Sequence, residues 1–420
     1  MPRIRIQNIG PIIDTGEIDL TRITVFIGQQ STGKSTIMKI LCFCCWVEKY
    51  CVTHNNDKWF KSYQHFYKAL KSFHHFQDSF FTPHQSKIIY HGEWITITFD
   101  YISNKTNAEI IVPDRVAFDN AYNTKLCFIP SERNLISSVR NVDAAYKVKS
   151  IDNIFNYILE WDSVKRSYNR EHALHIDFLR GINFFYDSKN SRETLRLSTG
   201  KEITPYYASS GVQSAYSLYV MLDYLTNKVF EQNASFSRND INRVLLEILQ
   251  EDKIVSEKHL IEKRQQVESR LARRTQYKAS RVFIEEPEQN LYPTAQVDLM
   301  RDIVRMVNHA TNQTGRDSSV CITTHSPYII SILNVLLRAY AAYSTNNTRT
   351  AQILQTDEIL SPNGITCYFI NENGTVSSLI HKEDGVSSID AADTLDGVSE
   401  QLDEWSYKLN EILANWDECE

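Results

Sequence analysis

The chain has 420 residues, 42% hydrophobic and 23% charged, with a formal net charge of −6. That length and apolar content suit a substantial globular core in one large or two smaller units, and the acidic balance gives no overall electrostatic footprint for nucleic acid. No apolar run is long enough for a membrane span, so no membrane-embedded segment is expected.

Met1-Pro2-Arg3-Ile4-Arg5-Ile6 opens an alternating strand instead of a signal peptide. Ile23–Ile27 is a β-rich run that leads into Gly28-Gln29-Gln30-Ser31-Thr32-Gly33-Lys34-Ser35-Thr36, a GxxxxGKS loop, and then into an apolar helix from Ile37 to Val47. Backbone N–H groups of such a loop cradle phosphates, and the helix behind it points its positive end at them. Lys34 would reach the β- and γ-phosphates and the Ser35 hydroxyl would hold Mg²⁺. A nucleoside triphosphate is therefore the expected ligand.

Of the eight cysteines, Cys42, Cys44, Cys45 and Cys51 cluster on and after that helix. Their spacing lacks the paired C-x₂-C of zinc modules, so they read as buried thiols of a reducing cytoplasm. Trp59 to Phe81 places Trp59, Phe60, Tyr63, Phe66, Tyr67, Leu70, Phe73, Phe76 and Phe80 at spacings that predict one helix with a wide apolar stripe, either core or a docking face. Six histidines between His54 and His91 follow no metal spacing and read as surface or interfacial. Glu93 to Tyr101 alternates and, with Ala108 to Val112, predicts an antiparallel hairpin. Cys127-Phe128-Ile129-Pro130-Ser131-Glu132-Arg133-Asn134 is a strand and turn in which Glu132 or Arg133 either touches the nucleotide or forms a structural ion pair. Helices are expected over Asp152–Asn169 and Ala215–Val229.

Glu257 to Arg281 carries eight lysines and arginines against three acids. It reads as a solvated helix face or as a contact for nucleic-acid backbone. Arg281-Val282-Phe283-Ile284-Glu285-Glu286-Pro287-Glu288 is a buried-type strand ending in acids. Adjacent carboxylates at a strand end are costly unless a cation or a proton-transfer role needs them. Glu285 fits a Mg²⁺ ligand and Glu286 a general base for the attacking water. Val320 to Thr324 is another buried strand, tipped by His325, Ser326 and Pro327. Ligands of open α/β sheets bind outside the carboxyl ends of strands, which places His325 to reach the γ-phosphate. No G-x-S-x-G elbow occurs, and adjacent His and Ser do not by spacing make a triad. Ile365–Ile370, a turn at Asn371–Gly374 and Val376–Ile380 predict a hairpin. Glu383 to Glu420 is acidic and helical in pattern.

The segments GQQSTGKS, FIEEPEQNLYP and TTHSPYII together resemble the ABC-type ATPase superfamily, and within it the SMC/RecF-like branch that includes overcoming-lysogenisation-defect proteins and related phage-defence ATPases. The resemblance implies ATP with Mg²⁺, catalysis by Glu286, His325 and Lys34, a D-loop at Asn290-Leu291-Tyr292-Pro293 and a signature loop that completes a partner's site. The best match to that loop is Ala208-Ser209-Ser210-Gly211-Val212-Gln213-Ser214, which has Ser where the first Gly of LSGGQ stands. Ser209, Ser210, Gly211 and Gln213 are thus nucleotide-binding candidates.

The expected architecture is an α/β P-loop ATPase head. Residues 1–50, 88–150 and 281–382 would form the α/β lobe with its β-subdomain, 51–87 an aromatic insert, 151–280 a helical lobe and 383–420 an acidic end. That end, about 40 residues, is too short for the TOPRIM nuclease domain of longer relatives. The function expected is therefore a cytoplasmic ATPase that assembles as a dimer or higher oligomer around ATP and controls a separate effector, a nuclease or toxin, in anti-phage defence. Two alternatives are a RecF/SMC-like DNA repair or maintenance ATPase that binds DNA through 257–281, and a nucleotide-dependent scaffold or antitoxin with little turnover.

Overall fold

A computed structural model describes residues 2–54, 56–138, 152–231, 244–246, 248–249, 261, 263–315, 317–383, 385–390 and 405. Strands β1 (Arg3–Ile9), β2 (Ile12–Asp14) and β3 (Ile18–Asp19) precede β4 (Ile23–Ile27) and the P-loop helix Lys34–His54, which runs past the boundary expected at residue 50. Strands β5 (Lys87–His91), β6 (Thr96–Asp100) and β7 (Glu109–Ile111) join β1–β3 in one antiparallel sheet, with β6 and β7 paired as the alternation predicted.

The central sheet gathers β8 (Asn123–Ile129), β13 (Tyr277–Glu285), β14 (Asp317–Thr324), β4 and β15 (Ile365–Ile370), all parallel, with β16 (Val376–Ser378) antiparallel at the edge. Strand β4 and the later parts of β13 and β14 are buried on both faces, which is why they read as apolar runs. Strand β4 shows this directly. Ile23, Val25 and Ile27 enter one core with the helices Ser210–Thr226, Pro293–Thr314 and Pro327–Thr345. Phe26 enters the other, between the P-loop helix and the antiparallel sheet. The pairings Glu285↔Thr323 and Thr324↔Ile27 align the carboxyl ends of β13, β14 and β4.

Four expectations change. The run Trp59–Phe81 is not one helix but three short pieces, Trp59–Lys61, His65–His74 and Asp78–Phe80. Left-handed Tyr63, Gln64 and His75 break it, and no Gly or Pro announces those breaks. Phe60, Phe66, Tyr67, Leu70 and Phe76 pack inward, with Phe66 on Phe43 at 5.0 Å and Phe60 on Trp46 at 5.5 Å, so most of the stripe is core covering the P-loop helix, while Tyr63 stays exposed. His74 is buried among Phe73, Phe76 and Phe128, not at the surface, and burial lowers its pKa to about 3.

The lobe expected to be helical does hold the helices Asn153–Lys165 and Ser210–Thr226. Between them lies an antiparallel sheet of β9 (Leu174–Ile176), β10 (Ile182–Asp187), β11 (Arg192–Arg196) and β12 (Glu202–Ile203). The acidic end begins as a hairpin instead of a helix. Strands β17 (Ile380–Glu383) and β18 (Val386–Ile389) pair antiparallel and bury Ile389. Its remainder, apart from Trp405, lies outside the described residues.

The basic segment also turns partly inward. Buried Arg274 donates to the Thr53 carbonyl. Arg281, its side chain only 14% exposed, meets Glu48 at 3.5 Å and Glu93 at 3.2 Å. The described part of the segment is the helix Arg264–Thr275 leading into β13, and residues 257–260 and 262 lie outside the described residues. The four clustered cysteines are buried as expected, and among the described residues no group of three or more His, Cys, Asp or Glu side chains is placed to hold a metal ion. Among the described residues, no helix is long and apolar enough to cross a membrane.

Candidate ATPase site

The phosphate loop, Gly28 to Lys34, joins β4 to the helix that begins at Lys34. Gly33 has φ of 109°, a backbone conformation that requires glycine, and it lies close to the β1–β2 turn at Pro11 and Ile12. Gln29, Gln30, Ser31 and Ser35 are exposed, and Thr32 and Thr36 are buried, with the Thr32 hydroxyl donating to the Gln29 carbonyl at 2.9 Å. Lys34 lies back on its own loop and donates to the carbonyls of Gly28 at 2.8 Å and Gln29 at 2.5 Å. Burial lowers its pKa to about 8, against the opposing pull of Glu286 and Glu288.

The two acids at the end of β13 face different ways. Glu285 is 4% exposed, accepts from the Ser131 N–H at 3.4 Å, and has its pKa raised by burial, with Lys39 and Ser35 nearby opposing the shift. A buried carboxylate beside a hydroxyl at the head of a phosphate loop fits a hard cation that takes oxygen ligands, so Ser35 and Glu285 are the residues that would hold Mg²⁺. Glu286 is more open. Its φ is 44°, a left-handed conformation uncommon for a non-glycine residue, and its N–H donates to the Thr323 carbonyl of β14 at 2.9 Å. This turn swings its carboxylate toward His325, with His325 Nε2 and Glu286 Oε1 3.6 Å apart. Burial and nearby Lys34 lower the His325 pKa, while Glu286 and the Gly28 backbone oppose the shift.

The fold thus brings Lys34, Ser35, Glu285, Glu286 and His325 together from three strand ends. It does not bring the signature candidate to them. Ser209 and Ser210 are exposed at the start of the helix Ser210–Thr226, and the Gln213 amide folds back onto the carbonyls of Pro205 and Tyr206. Gly211 abuts the D-loop turn of its own chain, where a Cβ would fall 2.6 Å from the Asn290 carbonyl oxygen.

Two residues carry more of the site than the sequence pattern indicated. Glu288 accepts from the Thr324 hydroxyl and the His325 N–H, both at 2.8 Å, and so sets the turn that presents His325. Its only signal was its place as third acid in the Walker B run. Arg133 is fully buried and bonds to carbonyls of the Glu285–Pro287 turn, not to a carboxylate, whereas Glu132 is exposed. Among the described hydrogen bonds, the partners of Arg133 are main-chain carbonyls, and the ion pair expected for Glu132 or Arg133 does not form.

The lowered Lys34 pKa makes a prediction about pH. Phosphate oxygens favour the ammonium form, so binding above about pH 8 must take up a proton. Nucleotide affinity is expected to fall as pH rises through 8, by up to about tenfold per pH unit. Binding titrations between roughly pH 6.5 and 9.5 would check this, and a flat profile would refute it.

A family model described as "AAA domain, putative AbiEii toxin, Type IV TA system" matches residues 23–331. Among solved structures, an SMC head domain from Thermotoga maritima aligns over 92% of this chain and 97% of its own, at 9% identity and a TM-score of 0.36. A Pyrococcus furiosus Smc head domain bound to the C-terminal domain of ScpA aligns over 97% and 100%, at 8% identity and 0.38. A RecF–nucleotide complex of the RecFOR pathway aligns over 90% and 97%, at 10% identity and 0.30. A search among curated proteins finds no match. The family match runs from β4 and the phosphate loop through the histidine turn, and the chain belongs to this family of P-loop AAA domains.

Proposed function

We propose that the protein hydrolyses ATP and assembles around it, with ATP held between the phosphate loop of one copy and the Ser209–Ser214 loop of another. The observation that carries the reading is the approach of Glu286 to His325 beside Lys34, with Glu285 against Ser35. In this reading Glu286 orients and deprotonates the attacking water, and Lys34 and His325 stabilise the charge that develops on the transferred phosphoryl group. Mg²⁺, when bound, neutralises phosphate charge. The assembled state would hold or release a separate effector, a nuclease or toxin, in anti-phage defence; the family description, which names a putative toxin of a toxin–antitoxin system, supports a related setting. The inward course of Arg274 and Arg281 removes two charges from the surface that a DNA-binding reading would use.

The composite site is best tested at Ser210, which is exposed, because a side chain at Gly211 would collide with Asn290 within its own protomer. Ser210→Arg is expected to bind nucleotide within about threefold of wild type, yet to lose ATP-driven association. Sedimentation with and without ATP reads this, and normal assembly by Ser210→Arg would place the partner face elsewhere. Co-purification from the native host, with and without residues 391–420, tests for the effector. Loss of a specific bound protein on truncation, with ATPase activity kept, would place its dock there.

A further inference from the structure

Arg133 has a fully buried guanidinium whose hydrogen bonds all go to main-chain oxygens. Its Nε donates to the Ser214 carbonyl at 2.9 Å. Its Nη1 donates to Pro130 at 3.3 Å and Glu285 at 2.8 Å, and its Nη2 to Glu286 at 2.7 Å and Pro287 at 3.5 Å. Burying a cation is costly unless its donors are matched, and a planar fork matches several fixed acceptors where a point charge cannot. Three of these carbonyls belong to the turn that holds Glu286 in its left-handed conformation, an arrangement that needs surrounding structure to persist.

The other distant carbonyl belongs to Ser214, fully buried in the helix that starts at Ser210. The Ser214 hydroxyl accepts from Asn290 Nδ2 at 3.1 Å, and Asn290 abuts Gly211. Two links therefore meet at Ser214. One runs from its carbonyl through Arg133 to the acidic turn, and the other from its hydroxyl to the D-loop.

We propose that Arg133 is a positioning residue that ties the Ser210–Thr226 helix to the Glu285–Pro287 turn, so that a shift of that helix when a second copy docks on it resets the carboxylate of Glu286. The proposal rests on the reading of Glu286 as the base. Arg133 itself touches no substrate.

Arg133→Lys keeps the charge but not the fork. It is expected to bind ATP within about threefold of wild type while kcat falls about 10- to 100-fold. Amide hydrogen exchange should quicken in 286–291 and 210–217 together. Asn290→Gly keeps the left-handed backbone, removes the second link and should lower kcat less, with the double variant losing less than the product of the single losses. A purely stabilising role would lower the melting temperature and leave kcat unchanged. Wild-type kcat in Arg133→Lys overturns the proposal, as does quicker exchange confined to one of the two segments. If Arg133→Lys does not fold, the Glu286→Gln protein decides. Adding ATP should slow exchange in both segments at once, and slowing in 210–217 alone overturns the tie. Absence of any wild-type turnover would sink the hydrolysis reading, and the exchange measurements would still decide the tie.

Discussion

Glu286→Gln is expected to lower ATP turnover by about 10²- to 10⁴-fold, the range general bases contribute, while nucleotide affinity changes only a few-fold. The amide keeps the shape of the carboxylate and can still hydrogen-bond a water, but it accepts no proton. The left-handed turn stays in place because its restraints are main-chain bonds, from Glu286 N–H to Thr323 and from Arg133 to the Glu286 carbonyl. The variant should therefore stop with ATP intact and accumulate as a nucleotide-bound oligomer. Single-turnover kinetics with sedimentation would show both effects. Hydrolysis near the wild-type rate would remove Glu286 from the mechanism and leave Glu285 or Glu288 as the acid to examine.

Lys34→Ala should act one step earlier. The Lys34 ammonium reaches into the phosphate loop, where its bonds go to the carbonyls of Gly28 and Gln29. Those carbonyl bonds must be exchanged for phosphate oxygens on binding, and charge-assisted bonds contribute roughly 1.5–3 kcal/mol each. Loss of one or more predicts affinity weaker by about 10- to 100-fold or beyond. Turnover would vanish as a consequence, without the trapped oligomer that marks Glu286→Gln. Calorimetric titration of nucleotide separates the two variants, and unchanged affinity would mean that the loop does not hold phosphates.

The core of the site was legible because each piece is local. Ile23–Ile27 and the later parts of Tyr277–Glu285 and Asp317–Thr324 are buried on both faces, so they read as apolar runs, and the chemistry sits in the few residues after each. What joins the pieces is not local. Arg133 finds Ser214 and Glu285 across long stretches of chain, and no spacing rule connects them. Its sequence neighbourhood offered Glu132 as an obvious partner, and the fold uses carbonyls instead. The aromatic insert was misjudged for a related reason. Helical spacing holds through Phe66, Tyr67 and Leu70, but Tyr63, Gln64 and His75 turn left-handed without the glycines that usually mark such points. The strands of the 174–203 sheet are short and rich in charge, so a segment such as Arg192-Glu193-Thr194-Leu195-Arg196 gave little alternation to read.

Strand β4 leads straight into the phosphate loop, yet both its neighbours arrive late in the chain, β14 at 317–324 and β15 at 365–370. Gly28 rests on the last of these, where a Cβ would fall 2.6 Å from the Ile370 carbonyl oxygen. Contacts of such wide separation form slowly, because the loop they close is long. During synthesis the segment that will grip the triphosphate emerges early but has no strand beside it until some 300 further residues have followed, as the Ile27↔Thr324 pairing requires, and has both only after some 340, with Ile27↔Phe369. A nascent chain would therefore complete the sheet that carries its phosphate loop only once nearly the whole chain has been made.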